Sequence, residues 1–365
     1  MKKVLMQGAV LVFACVAVVA VAGYAEIFPL RYAPAAAAEA LGIASSTPTT
    51  PPVPTLDKAA FDARMFALAH IVLATSTPTT ATSTVATSTK VSIWPAKAPY
   101  PNAGALLPFN RIVAYYGNFY SKGMGVLGQY PPDEMITRLK AAVAQWQAAD
   151  PSTPVMPAID YIAVTAQASA GKDGKYRARM PTDQIQKAVD LAAQVNGIVI
   201  LDVQVGLSNA QTEVPLLANF LKLPNVELAL DPEFAMQASG KKPGGVIGTM
   251  DAAEINWAAN YLAGLVRDNN LPPKILVIHR FTEDMVTHYK KITPLPEVEV
   301  VMDMDGWGFP AKKINTSNSV VASEPVQFTG FKLFYKNDLK APSTRLLTPA
   351  EVLKLTPSPV FIQYQ

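Results

Sequence analysis

The chain has 365 residues, of which 50% are hydrophobic and 16% are charged, so it can bury a substantial core and is not disordered throughout. Its 31 Lys and Arg residues nearly balance 28 Asp and Glu residues, and this balance gives no indication of a nucleic-acid partner. The single cysteine, Cys15, excludes an internal disulfide framework and a cysteine-ligated zinc site. Only three histidines are present, so a multi-histidine metal centre is not expected either.

An uncharged apolar run from Val4 to Ala25 follows a short basic start. Its 22 residues would span about 33 Å as a helix, which is enough to cross a bilayer. A positive start before such a run predicts an export signal, and the length favours an uncleaved membrane anchor over residues 1–25. Cleavage after Ala22 or Ala25 and lipid attachment at Cys15 are the alternatives. All three predict an extracytoplasmic protein that is membrane-anchored, at the cell surface or secreted.

Residues 26–110 contain two Ser/Thr/Pro-rich tracts, one from Ser45 to Pro54 and one from Thr75 to Thr89. Tracts of this composition cannot bury a core, so a low-complexity stalk is predicted here. Between the tracts, apolar residues recur with helical spacing and predict one amphipathic helix over about 56–74.

From residue 111 onward, β-branched segments alternate with helical patterns. Strands are predicted at 111–118, 155–163, 197–206, 226–234, 274–281, 298–306, 326–335 and 359–365. Helices are predicted between them, notably at 132–148, 181–195, 251–269 and 348–354. Eight such units in residues 111–365 predict an α/β fold, the (β/α)8 TIM barrel. A doubly wound open sheet is the alternative, although it would leave two sheet edges exposed.

A glycine-rich segment, YSKGMGVLG, follows the first predicted strand at 120–128. It superficially fits a phosphate-binding turn, but no clear helix is predicted to open from it. Because that context gives the motif its meaning, a flexible loop is expected and no cofactor is predicted.

One ionisable residue lies near the C-terminal end of each predicted strand from the second to the seventh, where a barrel builds its active site. These residues are Asp160, Asp202, Asp231, His279, Asp303 and Lys332. Unpaired charges inside apolar strands are strongly destabilising, so something must compensate for them. A structural interpretation is a salt-bridged plug, with Lys332 neutralising Asp231 or Asp303 and His279 hydrogen-bonded between them.

The functional interpretation is a paired-carboxylate site, because glycoside hydrolysis requires one carboxyl group as acid and another as nucleophile or base. Asp231 is the predicted nucleophile or base and Asp303 the predicted acid, with Glu233 and Asp305 as substitutes one layer nearer the mouth. The predicted substrate-binding residues are Asp160, Asp202, Gln204, His279, Lys332, Tyr115, Tyr116, Trp307 and Tyr335. Two long loops, 163–180 and 235–250, carry basic residues that would either receive an anionic polymer or remain solvated.

Eight motifs occur in order through residues 111–365: YYGNFYSKGMGVLG, VTAQASAGKDGKY, LDVQVG, ALDPEF, IGTMDAAEIN, VIHRF, DMDGWG and PVFIQYQ. This region resembles a largely uncharacterised group of secreted or lipid-anchored bacterial proteins with a glycoside-hydrolase-like TIM barrel. The resemblance implies a surface-exposed barrel. Aspartates on strands four and six also look like the arrangement in some retaining α-glycosidase clans. The larger clan has glutamates on strands four and seven, whereas this chain has Lys332 on strand seven.

The predicted function is therefore an envelope-anchored hydrolase that cleaves a polysaccharide by paired-carboxylate chemistry. A non-catalytic carbohydrate-binding or adhesion module is one alternative. The other is a metal-assisted hydrolase, whose Mg²⁺ or Ca²⁺ ligands would be Asp202, Asp231, Glu233, Asp303 and His279. The predicted partners are a glycan and, through the N-terminal segment, a membrane.

Overall fold

Eight β-branched segments of the chain lie side by side as parallel strands in the computed structural model, which describes residues 55–72 and 92–365. They are β1 Arg111–Gly117, β2 Val155–Ala166, β3 Ile198–Val203, β4 Val226–Leu230, β5 Lys274–Arg280, β6 Val298–Met304, β7 Phe328–Leu333 and β8 Phe361–Tyr364. Each strand pairs with the next, and β1 pairs with both β2 and β8, so the sheet closes. The predicted barrel is confirmed, and its closure removes the open-sheet alternative.

Helices alternate with the strands. The longer ones are α1 Lys58–Leu68, α2 Pro132–Ala149, α3 Thr182–Ala193, α4 Ala252–Asn269 and α5 Pro310–Thr316. Short α-helical segments are Val126–Gln129, Ala210–Glu213, Ala218–Leu221 and Pro349–Val352. Short 3-10 helices occur at Val214–Leu217, Pro232–Phe234, Glu283–Met285, Tyr289–Lys291 and Asn337–Leu339. Ser317–Ala322 is a short π-helix. A short strand, Arg177–Arg179, runs antiparallel to β2, and Met250–Asp251 pairs with Val286–Thr287.

The strands separate two apolar cores because their side chains alternate between the two faces of the sheet. The outer core lies between the barrel and its helices and includes Val113, Ile159, Val199, Leu228 and Leu276. The inner core fills the barrel and includes Ile112, Ala158, Ile200, Ala229 and Val277. Inward side chains toward the C-terminal strand ends are polar, so the functional groups lie above the inner apolar core.

Helix α1 packs on the inner core of the barrel. Its Phe61 and Met65 are each only 7% exposed and belong to the inner core with Leu107 and Ile112. The helix predicted over about 56–74 therefore exists in a shorter form, and it packs on the barrel, which a solvated stalk would not do.

The predicted anchor, residues 1–25, and both Ser/Thr/Pro tracts lie outside the described residues. Within 55–72 and 92–365, no helix has the length and apolar character needed to cross a membrane.

Glu299 on β6 is a fully buried acid beside the segment that precedes β1. Its carboxyl oxygens accept hydrogen bonds from the backbone N–H groups of Leu106 and Leu107 at 3.0 and 2.8 Å. Burial raises the pKa of Glu299 to about 8, against the effect of these two hydrogen bonds. Its side chain therefore holds a proton at neutral pH and ties the segment before β1 to the barrel.

We expect the free energy of unfolding to fall as the pH rises from about 5 to about 8. Burial raises the folded-state pKa values of Asp160 and Glu299 to about 8, whereas unfolded carboxyl groups titrate near 4. Between these pH values the folded state binds more protons than the unfolded state, so rising pH favours unfolding. Thermal midpoints measured across this range test the expectation.

Glu299→Gln should flatten this pH dependence, because the amide keeps an acceptor oxygen but does not titrate. The matched control is Glu283→Gln, which changes an exposed side chain and should leave the slope unchanged. A thermal midpoint of the unaltered protein that rises between about pH 5 and about pH 8 would contradict the prediction.

Candidate active site

The loops beyond the C-terminal strand ends form an open cleft of about 500 Å³. Its polar lining includes Tyr116, Gln204, Asp231, Glu233, Asp305 and Lys332. Its aromatic lining includes Phe234, Phe281, Trp307 and Phe334. The cleft lies where a TIM barrel places its active site, and carboxyl groups and aromatic rings meet in it.

The predicted ring of ionisable residues is divided into two layers, and the lower one lies inside the barrel beneath the cleft. There, His279 is fully buried between two aspartates, with Nε2 2.8 Å from Asp202 Oδ2 and Nδ1 3.2 Å from Asp303 Oδ2. Burial opposes a charge on His279, but the hydrogen bonds to Asp202 and Asp303 outweigh it and raise its pKa well above 6.5. His279 is thus a buried imidazolium that holds β3, β5 and β6 together.

Asp160 lies in the same buried layer and accepts a hydrogen bond of 2.5 Å from Gln363 Nε2. Burial, with the charge of Asp202, raises the pKa of Asp160 to about 8, so this carboxyl group is protonated at neutral pH. Asp303 lies against Gly330 of β7, where an added Cβ would come within 2.5 Å of Asp303 Oδ1. The lower layer is closely packed and does not line the cleft.

The upper layer forms the floor of the cleft, where Lys332 Nζ lies 3.0 Å from Asp305 Oδ1. The same ammonium group lies 3.9 Å from the ring centroid of Tyr116, and Asp305 Oδ2 lies 3.6 Å from His279 Nδ1. The salt-bridged plug interpretation is therefore wrong about Lys332, which pairs with Asp305 and not with Asp231 or Asp303. It is right about Asp303 as one hydrogen-bond partner of His279, but the other partner is Asp202 and not Asp231.

Asp231 follows the end of β4 and begins the short turn Pro232–Phe234. Its Oδ1 accepts from the Glu233 N–H at 3.1 Å, and its Oδ2 accepts from Gln204 Nε2 at 3.2 Å. Burial raises the pKa of Asp231 well above its ordinary value. Strand four was predicted to run to 234, but the cap that Asp231 provides ends the strand at Leu230. Asp231 thus fixes the backbone that carries Glu233.

Glu233 projects into the cleft, and its carboxyl group has no hydrogen-bond partner within the part of the chain described. Burial and then the charge of Asp305 raise its pKa to about 7. At neutral pH this group can therefore give up or take up a proton easily, which is the property of a general acid.

The cleft brings together Asp231, Glu233 and Asp305, whereas Asp303 lies below it. The reason is depth: both residues lie on the same face, but Asp303 is within strand six, inside the barrel, whereas Asp305 follows the end of the strand and reaches the opening. The residues predicted as substitutes thus occupy the position that a substrate can reach.

Tyr115 and Tyr335 lie away from the cleft, on the outer face of the barrel. Their hydroxyl groups are 3.0 Å apart, and both rings pack against Tyr364. Tyr116, the next residue on β1, points inward and lines the cleft. Side chains alternate between the two faces of a strand, so Tyr115 and Tyr116 point to opposite faces. The clustering of aromatic residues in the sequence does not predict this difference.

Sequence reasoning missed a buried ion pair that supports the cleft wall. Lys313 Nζ lies 3.0 Å from Asp338 Oδ2 and donates to the carbonyl oxygens of Gly306 and Lys332 at 2.8 and 2.7 Å. Asp338 Oδ1 accepts from the Gly308 N–H at 2.9 Å. No sequence signal separates Lys313 from its exposed neighbour Lys312, so only the structure identifies it.

Loop 163–180 has its arginines engaged internally. Arg177 and Arg179 pair with the buried carboxylate of Glu213 at 2.8 and 2.7 Å. The basic residues of this loop were expected either to bind an anionic polymer or to remain solvated. Arg177 and Arg179 do neither, because both are paired with Glu213.

The glycine-rich segment packs against β1. An added Cβ on Gly125 would come within 2.3 Å of the Tyr116 carbonyl oxygen, so only glycine allows this approach. Gly123 and Met124 line the cleft, and a four-residue helix, Val126–Gln129, follows. The segment therefore forms a fitted part of the cleft wall.

Among residues 55–72 and 92–365, no group of three or more His, Cys, Asp or Glu side chains is arranged to hold a metal ion. Asp202, Asp303 and His279 of the predicted ligand set are bound to one another instead.

No protein-family model and no curated protein matches the chain. Solved structures that resemble it include a GH5-4 broad specificity endoglucanase from an uncultured bacterium, at 10% identity and a TM-score of 0.31 over 61% of this chain and 76% of that one. A GH5 xyloglucan-specific endo-beta-1,4-glucanase from a metagenomic library, in complex with cellotriose, is 12% identical, with a TM-score of 0.37 over 71% of this chain and 88% of that one. A Bacteroides ovatus GH5 xyloglucanase in complex with a XXXG heptasaccharide is also 12% identical, with a TM-score of 0.28 over 61% of each chain. These likenesses concern the fold of the barrel alone.

Proposed function

We propose that this protein hydrolyses glycosidic bonds in a polysaccharide, with Glu233 as general acid and Asp305 as nucleophile or base. The observation that carries the proposal is that these two carboxyl groups face one open cleft in different surroundings. Glu233 has no hydrogen-bond partner within the described residues and has a pKa of about 7, whereas Asp305 is ion-paired with Lys332. Glycoside hydrolysis requires this combination of a proton donor and a carboxylate.

The remaining groups have supporting roles. Glu233 gives its proton to the glycosidic oxygen as the bond breaks, and Asp305 acts on the anomeric carbon directly or through a water molecule. Lys332 holds Asp305 in place, and Asp231 holds the backbone of Glu233. Trp307, which is 46% exposed at the cleft, offers a ring face to a sugar.

We expect kcat to decline as the pH rises through about 7. The acid form of Glu233 predominates below its pKa of about 7 and is lost above it, so the general acid is absent on the alkaline side. The pH profile of kcat on a cleaved glycan tests this, with the exposed Glu283→Gln variant as control. A kcat that stays flat or rises through this range would contradict the role of Glu233. Inactivity of the unaltered protein on a broad glycan panel would contradict the hydrolase proposal itself.

A non-catalytic carbohydrate-binding module is the second candidate. The closed network of Asp202, His279 and Asp303 favours it, because this part of the acidic ring is internally bound and plays a structural role. A binding module would bind glycans without cleaving them, and neither it nor its Glu233→Gln variant would release reducing ends. Release of reducing ends from a retained glycan separates the two candidates.

We also propose that the protein acts outside the cytoplasm, attached to the membrane by residues 1–25. The support is the basic start and the uncharged run from Val4 to Ala25. Fractionation of cells that make the full chain, with protease added to intact cells, tests this location. Recovery in the soluble cytoplasmic fraction would contradict it.

A further inference from the structure

Trp307 stands at the edge of the cleft with two lysines beside its ring. Nζ of Lys312 lies 5.0 Å from the ring centroid, and Nζ of Lys340 lies 4.9 Å from it. Both lysines are exposed, and neither ammonium group has a hydrogen-bond or ion-pair partner within the described residues. Two cations thus share one exposed indole ring without a counter-ion.

The position of this ring is fixed from below. The Gly306 carbonyl oxygen and the Gly308 N–H, on either side of Trp307, are bound by Lys313 and Asp338. An added Cβ on Gly308 would come within 2.8 Å of Lys312 Cδ, so the stem of that lysine lies directly over the glycine. Trp307 is therefore presented on a preorganised loop, which reduces the entropy lost on binding.

The positive charge beside Trp307 differs from the other cations near the cleft. Lys332 is neutralised by Asp305 on the cleft floor, and Lys313 is neutralised by Asp338 inside the wall. The ammonium groups of Lys312 and Lys340 are free to turn toward a ligand on flexible stems. The cleft therefore combines a hydrolytic floor with a positively charged aromatic platform at its edge.

We infer that Trp307, Lys312 and Lys340 form a subsite for an acidic sugar, and that the substrate is a glycan containing uronic acid units. The sugar ring packs on the indole, and its carboxylate pairs with one or both ammonium groups. This inference rests on the proposed function, because it takes the cleft to be a glycan site, and it adds the substrate class.

The test compares three polyuronates, alginate, polygalacturonate and polyglucuronate, with the same polymers after chemical reduction of their carboxyl groups. Binding to the full chain is measured at low ionic strength by tryptophan fluorescence and by retardation in gels containing the polymer. At least one polyuronate should bind about tenfold more tightly than its reduced form, and added salt should weaken that preference.

Three variants locate the effect. The double variant Lys312→Gln/Lys340→Gln should remove the preference for the acidic form, and Trp307→Ala should weaken binding of both forms. The matched control is Lys58→Gln, because Lys58 also lies 4.9 Å from an aromatic centroid, that of Tyr100, but is on helix α1 and does not line the cleft. It should retain the preference.

Equal binding of the acidic and reduced forms, absence of binding to all three polyuronates, or an equal loss in Lys58→Gln would overturn the subsite. Hydrolysis is scored separately by reducing ends. Cleavage of neutral glycans without preference for acidic ones would retain the hydrolase and overturn the subsite. Preferential binding of a polyuronate without cleavage of any glycan would retain the subsite and overturn the hydrolase.

Discussion

We expect Glu233→Gln to lower kcat by about a hundredfold to ten-thousandfold, because in the proposed mechanism the amide cannot supply the proton that the leaving oxygen needs. Asp305→Asn should have an effect of similar size, since it removes the carboxylate that acts on the anomeric carbon in the proposed mechanism. The measurement is kcat on a cleaved glycan, together with the thermal midpoint of each variant. Glu233→Gln should stay folded, because its carboxyl group lines the cleft and makes no hydrogen bond within the described residues.

Asp303→Asn is the informative comparison, because the sequence predicts Asp303 as the acid and the structure places it beneath the cleft floor. The asparagine can still accept a hydrogen bond from His279, so some turnover should remain. If Asp303→Asn abolishes turnover while Glu233→Gln leaves it intact, the assignment of Glu233 is wrong and the sequence-based one is correct.

His279→Asn should destabilise the protein by about 3–5 kcal/mol at neutral pH, because it removes the cation from between two buried carboxyl groups. His279, Asp202 and Asp303 have no exposed side-chain surface, so water cannot replace the lost partner. The destabilisation should be smaller at acid pH, because burial raises the pKa of Asp303 and its carboxyl group takes up a proton more readily there. Chemical denaturation at the two pH values measures both effects.

His288→Asn is the matched control, since His288 also pairs with an aspartate, Asp251, at 2.6 Å but is 60% exposed. Its loss should change stability by less than about 1 kcal/mol, because exposed ion pairs contribute little. Asparagine also tolerates the left-handed backbone at this position, where φ is 55°. Similar losses in the two variants would show that burial does not determine the strength of the His279 network.

Periodicity in the sequence was sufficient to predict the barrel. Near-continuous apolar strands alternating with helical patterns specify a parallel sheet covered by helices, and the strand boundaries at β1 and β5 agree with the prediction to within one residue. The same periodicity predicted that the ionisable residues lie together near the C-terminal ends of the strands, as the structure shows. It also predicted a helix before the barrel, although not that Phe61 and Met65 would pack on the inner core.

The depth of each residue in the barrel could not be predicted in the same way. Asp303 and Asp305 lie on the same face of strand six, and only the tilt and length of the strand decide which one reaches the opening. The ion-pair partner of Lys332 could not be predicted either. Several carboxylates lie at the same strand ends, and the structure shows that Lys332 pairs with Asp305. Such contacts depend on three-dimensional distance between strands that are far apart in sequence.

The Asp338 carboxylate has a consequence for how the cleft wall moves. It accepts from the Gly308 N–H after β6 and from the Phe334 N–H after β7, each at 2.9 Å, so the two loops are tied to one side chain. Neither loop can open alone without breaking these bonds, and their amide hydrogens should exchange with solvent as one cooperative group. This side of the cleft wall should therefore move as one body, because the segments after β6 and β7 share one anchoring carboxylate.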